Sequence, residues 1–128
     1  MKALGFHKSE RIVSQKLIDE LFNSTGSHSL AAFPVRAVYM SCPRQEGEPQ
    51  AQVLMSVPKK RFRHAVDRNR TKRQLREAYR LHKPQFVARI PADKQLAVAF
   101  IWLSDKHLPT ADVDKRVKNL LIRIAKSL

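Results

Sequence analysis

Residues 59–83 read KKRFRHAVDRNRTKRQLREAYRLHK. Over residues 59–80, ten Lys/Arg stand against two acids, so 22 residues carry +8 of the chain's +14. Such a cluster repels itself unless something anionic lies against it. The usual occupant is a phosphate backbone, which releases counterions as its charges are neutralised. The segment is also periodic. Residues 65–82 are predicted to form a helix, and Pro84 disfavours helical geometry at Lys83 and marks its end. At about 100° per residue, Thr71, Leu75, Ala78, Tyr79 and His82 fall on one side and should face a core. Asn69, Lys72, Arg73, Arg76, Arg80 and Lys83 fall within an arc of about 100° beside that side, a stripe on one rigid element. A plain solvated face would mix Glu with Lys at i,i+4, yet Glu77 is the one acid among the later residues and lies off the stripe.

Outward from this helix the chain alternates between strand and helix signals. Upstream, AQVLMSVP (51–58) reads as a strand and CPRQEGEPQ (42–50) as a loop. SHSLAAFPVRAVYM (27–40) reads as two short strands, 29–33 and 35–40, bent at Pro34. SQKLIDELFNSTG (14–26) is a helix, with Ser14 able to cap it and Leu17, Ile18, Leu21 and Phe22 at helical spacing. Downstream, residues 85–90 suit a short turn and QLAVAFIWL (95–103) a buried strand. PTADVDKRVKNLLIRIAKSL (109–128) is a terminal helix, with Thr110 as its cap and Asp112 and Asp114 in its first turn, where the helix dipole favours acids. Its apolar face is Val113, Val117, Leu120, Leu121 and Ile124. The order α-β-β-β-α-β-α predicts an α+β fold with a mixed sheet.

At 128 residues and 43% hydrophobic content the chain suits one globular domain, 1–128. A pI near 10.7 puts nucleic acid first among partners and an anionic membrane surface second. One cysteine, Cys42, excludes an internal disulfide and fits a reducing compartment. MKALGFHKSER turns charged before an apolar run develops, unlike a signal peptide, and no stretch approaches the roughly 18 apolar residues of a membrane span. A cytoplasmic protein is expected, with no membrane partner.

Catalytic signals are absent. The eleven acids are dispersed, without the spaced carboxylate set of a two-metal nuclease. His7, His28, His64, His82 and His107 lack HxH or HxxxH spacing, and His82 reads as a satisfied core residue. Cys42 has no base near it in sequence. With three glycines there is no glycine-rich phosphate loop. No protein-held metal and no organic cofactor are expected. The chain reads as a binding module whose chemistry, if any, sits in its partner. Arginine dominates the cluster, and its planar fork suits bidentate phosphate contacts and base stacking. Asn69 either bonds a base edge or sugar or caps the local backbone. The stripe itself carries little base specificity.

AVDRNRTKRQLREAYR resembles the signature of the bacterial ribonuclease P protein family. In it an Arg-Asn-x-x-Lys-Arg core (here Arg68, Asn69, Lys72, Arg73) follows a Ser-Val-x-Lys-Lys strand end (here Ser56, Val57, Lys59, Lys60), with Arg76-Glu77-Ala78 further on. The resemblance implies a compact α/β sandwich on a four-stranded sheet, with a left-handed crossover into the basic helix. It implies a subunit that docks on a catalytic RNA and promotes hydrolytic removal of the 5′ leader from precursor tRNA. The chemistry would then be performed by Mg²⁺ bound mainly by the RNA, and no obligate protein partner is needed. The protein would raise substrate affinity and lower the Mg²⁺ requirement. By position, Arg68, Asn69, Lys72, Arg73 and Arg76 would meet the RNA subunit, joined by Lys59, Lys60, Arg61, Arg63, Arg70 and Arg80 of the same basic segment. The leader would lie in a cleft between the first helix and the sheet. Ile18, Phe22, Arg36 and Tyr39 would line it, and Lys8 and Arg11 would stand at its rim. Phe22 can stack on a base of any identity, or simply pack under the first helix. Two departures stand out. The glycine that many members carry between the lysine pair and Ala-Val is missing, and Arg61-Phe62-Arg63-His64 stands there instead. Ile18 stands where an aromatic is usual.

Two other readings compete: a ribosomal or ribosome-assembly RNA-binding protein, and a DNA-binding helix module. The second is disfavoured because no helix-turn-helix pair precedes the stripe.

Overall fold

The computed structural model describes residues 10–12, 15–23 and 25–128. The elements follow the expected order: α1 (Gln15–Asn23), β1 (His28–Ala32), β2 (Val35–Pro43), β3 (Ala51–Ser56), α2 (Ala65–Val87), β4 (Lys94–Trp102) and α3 (Thr110–Lys126). The strands form one sheet in the order β1-β2-β4-β3. β1, β2 and β4 pair antiparallel, and β3 joins β4 in parallel, so the sheet is mixed. The β3–β4 pair requires a crossover, and α2 supplies it.

The apolar run of β4 is buried on both faces because helices lie over this strand on both sides of the sheet. The two-residue side-chain period then sorts its residues. Leu96, Val98, Phe100 and Trp102 enter the larger core with Leu75 and Tyr79 of α2 and with Val113, Val117, Leu120, Leu121 and Ile124 of α3. The intervening Ala97 and Ala99 enter a smaller core with Leu21 of α1 and Val38 and Met40 of β2.

α2 runs five residues past its predicted end. It continues through Pro84 to Val87, and Phe86 beyond the proline is buried. Burying such a ring is worth about 1.5–3 kcal/mol, comparable to the ~3 kcal/mol a helical proline costs. Tyr79 meets Phe86 edge-on at 6.4 Å, and the Ala88 amide bonds the Pro84 carbonyl at 3.2 Å. Residues 85–87 are therefore helix, and the turn begins after them.

Smaller differences follow from local bonding. Pro109, not Thr110, stands at the N-cap of α3, and its carbonyl accepts the Asp112 and Val113 amides. The Thr110 hydroxyl instead accepts from Gln74 Nε2 at 3.1 Å, tying α3 to α2. Asp114 lies past the first turn and meets His82 Nε2 at 2.8 Å, so the half-buried His82 is satisfied at the α2–α3 seam. Ser14, expected to cap α1, lies outside the described residues.

Candidate nucleic-acid interface

α2 begins on a well-braced loop. Phe62 is buried and stacks on His107 with ring centroids 4.3 Å apart and planes 11° from parallel. His107 also meets the Thr71 hydroxyl at 3.1 Å and Asp67 Oδ1 at 3.3 Å. Arg68 Nη1 donates to the Phe62 and Arg63 carbonyls at 2.9 and 3.0 Å. This bracing accounts for the missing glycine. The loop needs no left-handed residue, and its buried Phe62 anchors it. Sequence reasoning missed the contribution of His107, because its partners lie 36 and 40 positions away. The Thr71–His107–Asp67 chain resembles a nucleophile relay, but Thr71 is fully buried, so no substrate reaches its hydroxyl.

The stripe is largely presented as expected. Lys59, Lys60, Arg63, Asn69, Arg70 and Arg73 are exposed, and Lys72 and Arg76 are half-buried. None of these seven cations pairs with an acid among the described residues. The other cations are engaged. Arg61 lies 3.5 Å from Asp105. Arg80 is bonded to Glu77, and that bond holds the Glu77 carboxyl below the usual carboxylate range. Arg68 stands two turns before Leu75, on the inward side of α2, and its guanidinium turns to the loop carbonyls. Lys83, placed on the stripe by the wheel, is buried against Glu10. Tyr79 lies wholly in the core, and burial pushes its hydroxyl far above the ordinary tyrosine range.

The N-terminal segment adds a cation that sequence alone assigned to the cleft rim. Arg11 bridges to Val53 of edge strand β3, and the Ile12 amide bonds the Val53 carbonyl at 3.1 Å. Arg11 thereby lines a cavity of about 230 Å³ together with Lys72 and Arg76 of α2 and Val53, Leu54 and Met55 of β3. Lys8 lies outside the described residues.

On the other face of the sheet, α1 is anchored by fully buried Leu21, while Phe22 beside it is 43% exposed. Ile18 is half-buried against the smaller core. Phe22 is thus not the residue that packs under α1. Arg36 is exposed on β2, with Nε 2.9 Å from the Ser29 hydroxyl, and shares a face with Val38 and Met40. Tyr39 requires a correction. It points to the opposite face, is 5% exposed, and its hydroxyl bonds that of Ser127 at 2.9 Å. Adjacent parity on a strand separates Arg36 from Tyr39, so one cleft cannot hold both.

Cys42 is half-buried at the end of β2, and its thiol is pushed up by burial and by the nearby Glu20 and Glu48 charges. Among the described residues no three His, Cys, Asp or Glu side chains gather as a metal set. No helix among them is long and apolar enough to cross a membrane. Three strands separate α1 from α2, and the two helices cover opposite faces of the sheet, so they form no helix-turn-helix.

These features define a small basic α+β protein with an arginine-rich crossover helix and a half-covered sheet face. The family model described as Ribonuclease P matches residues 6–125. A ribonuclease P protein component of Porphyromonas gingivalis is 37% identical over 126 residues, covering 94% of this chain and 87% of its own length. One from Idiomarina loihiensis is 42% identical over 77 residues, covering 54% of this chain and 60% of its own. The solved RNase P protein of Thermotoga maritima superposes with a TM-score of 0.66 at 23% identity, covering 89% of this chain and 96% of that one. A Staphylococcus aureus RNase P protein, a mutant with defective mRNA degradation activity, superposes at 0.68 and 23% identity over 93% and 90%. The chain belongs to the ribonuclease P protein family.

Proposed function

We propose that this chain serves the ribonuclease P holoenzyme as its RNA-docking and leader-holding subunit, acting in the cytoplasm. The observation that carries this reading is the set of seven cations on α2 and its preceding loop that pair with no acid among the described residues. They offer phosphate contacts on a rigid support, where docking costs little ordering of the chain. The RNA subunit would lie along this face, with Arg11 extending it at the β3 edge. Leader nucleotides would pass between α1 and the sheet, where exposed Phe22 offers a sequence-tolerant stack and Arg36 a phosphate contact.

In this reading the precursor tRNA is cut by hydrolysis at the leader junction, and Mg²⁺ held by the RNA supplies the metal chemistry. The protein's own part is to bind and orient. Holding the leader raises substrate affinity, and basic side chains offset phosphate charge that would otherwise require more Mg²⁺. Family membership weighs against the ribosome-assembly alternative.

The test is cleavage of a labelled precursor tRNA at low Mg²⁺ by the protein alone, by a bacterial ribonuclease P RNA alone, and by both. Cleavage at the leader junction only with both is expected. Tight RNA binding without any enhancement of cleavage would overturn the reading.

A further inference from the structure

The two-residue turn between β1 and β2 carries Phe33, whose side chain is 68% exposed, the most exposed aromatic among the described residues. A bare phenyl ring on a hairpin tip gains nothing from folding. Three arginines surround this turn, and each is held by neutral oxygen acceptors. Arg36 Nε bonds the Ser29 hydroxyl at 2.9 Å. From α3, Arg116 Nε donates to the Phe33 carbonyl at 2.9 Å. Arg123 Nη1 reaches the Ala31 carbonyl at 2.9 Å and Asn119 Oδ1 at 3.3 Å. None of the three is in an ion pair among the described residues. Their geometry is fixed while their charge is left un-neutralised, a pre-organised setting for a polyanion beside an aromatic platform.

The sheet topology places this turn relative to the rest of the interface. α1 covers Val38, Met40, Ala97 and Ala99, and the same face continues uncovered through Arg36 and Ala31 to the Phe33 turn. β1 is one edge of the sheet, and β3, where Arg11, Lys72 and Arg76 converge, is the other. A strand that leaves an RNA docked on α2 and crosses this face therefore meets α1, over β4 and β2, before it reaches the Phe33 turn.

We propose that Phe33, with Arg36 on the cleft face and Arg116 bonded to the Phe33 carbonyl from α3 on the other face, forms a second stacking station for single-stranded RNA, occupied by leader nucleotides farther from the cleavage junction than those beneath α1. This rests on the reading of the α1 cleft as the leader's path. The occupant is the leader rather than the RNA subunit because the station is continuous with the cleft face and lies at the sheet edge opposite the α2 cavity.

The experiment compares holoenzymes reconstituted with wild-type protein, Phe33→Ala, Phe33→Tyr and Phe22→Ala. Each is titrated with a precursor tRNA carrying a long leader and with the same precursor trimmed to its last few leader nucleotides. Wild type should bind the long-leader precursor more tightly. Phe33→Ala should lose about tenfold on the long leader, within the range of one lost base stack, and match wild type on the trimmed one. Phe33→Tyr should retain the affinity, since it keeps the ring. Wild-type affinity in Phe33→Ala for the long leader would overturn the station while leaving the cleft reading intact, provided Phe22→Ala still weakens binding. Equal losses on both leaders, together with weaker assembly, would assign Phe33 to the RNA subunit and overturn the proposal. A wild-type holoenzyme indifferent to leader length would overturn the cleft reading and the station together.

Discussion

At the scale of single residues, neighbours of the same type divide into different roles. Leu21 and Phe22 are adjacent on α1, yet one is fully buried and the other 43% exposed. Removing the exposed ring should cost the fold no more than about 0.5 kcal/mol, whereas a stacked base is worth about 1–3 kcal/mol. Phe22→Ala is therefore expected to weaken holoenzyme affinity for precursor about tenfold, leaving affinity for mature tRNA and the melting midpoint unchanged. Equal losses for both tRNAs would place the ring in a structural role. Arg68 and Arg73 divide in the same way. Both belong to the Arg-Asn-x-x-Lys-Arg core, but Arg68 holds two loop carbonyls and Arg73 is exposed. Arg68→Ala should destabilise the protein by about 1–2 kcal/mol in denaturant titration, since two carbonyls lose a charged donor. Arg73→Ala should leave stability intact and lower the salt slope of RNA binding by about one. Identical behaviour of the two variants would refute this division.

At the scale of elements, the long α2 depends on a contact from outside itself. Glu10 in the N-terminal segment meets Lys83 beside Pro84, and both are buried. The pair fastens the segment carrying Arg11 to the last turns of the basic helix. Breaking a buried pair leaves a desolvated charge, which costs about 3–5 kcal/mol, while replacing both members with apolar groups is often neutral. Glu10→Ala is expected to lower the unfolding free energy by about 3 kcal/mol, and the double variant Glu10→Leu, Lys83→Met to recover most of it. A single variant as stable as the wild type would show that the pair does not hold the segment.

At the scale of the whole molecule, the charge distribution sets how the protein meets RNA. Each edge of the sheet is occupied: β3 by the Arg11–Ile12 segment, and β1 by guanidinium groups from α3 on the Ala31 and Phe33 carbonyls. Free strand edges invite pairing with other chains, and these contacts cover part of each edge. If the seven cations that meet no acid among the described residues each meet one phosphate, the logarithm of RNA affinity should fall against the logarithm of salt with a slope of about −6. A filter-binding series across salt concentrations reads this directly, and a slope shallower than about −2 would rule out α2 as the main docking face.

The element order and the buried character of β4 were legible in the sequence because they rest on period and on apolar content, which are local properties. The basic stripe was legible for the same reason, since a helix repeats about every 3.6 residues whatever packs against it. The end of α2 was not. Proline's local penalty pointed to a stop at Lys83, and only the burial of Phe86 in the larger core outweighed it. That Arg36 and Tyr39 cannot share a face was legible in their spacing of three, but which of them lies on the α1 side was not, because a one-residue uncertainty in strand register inverts every side chain. Lys83 left the stripe and Arg68 turned inward through contacts with Glu10 and with the Phe62 and Arg63 carbonyls. Sequence alone therefore determined which elements form and where the charge concentrates. Tertiary structure decided which charges remain available to a partner, because only packing brings together the acids and carbonyls that neutralise the rest.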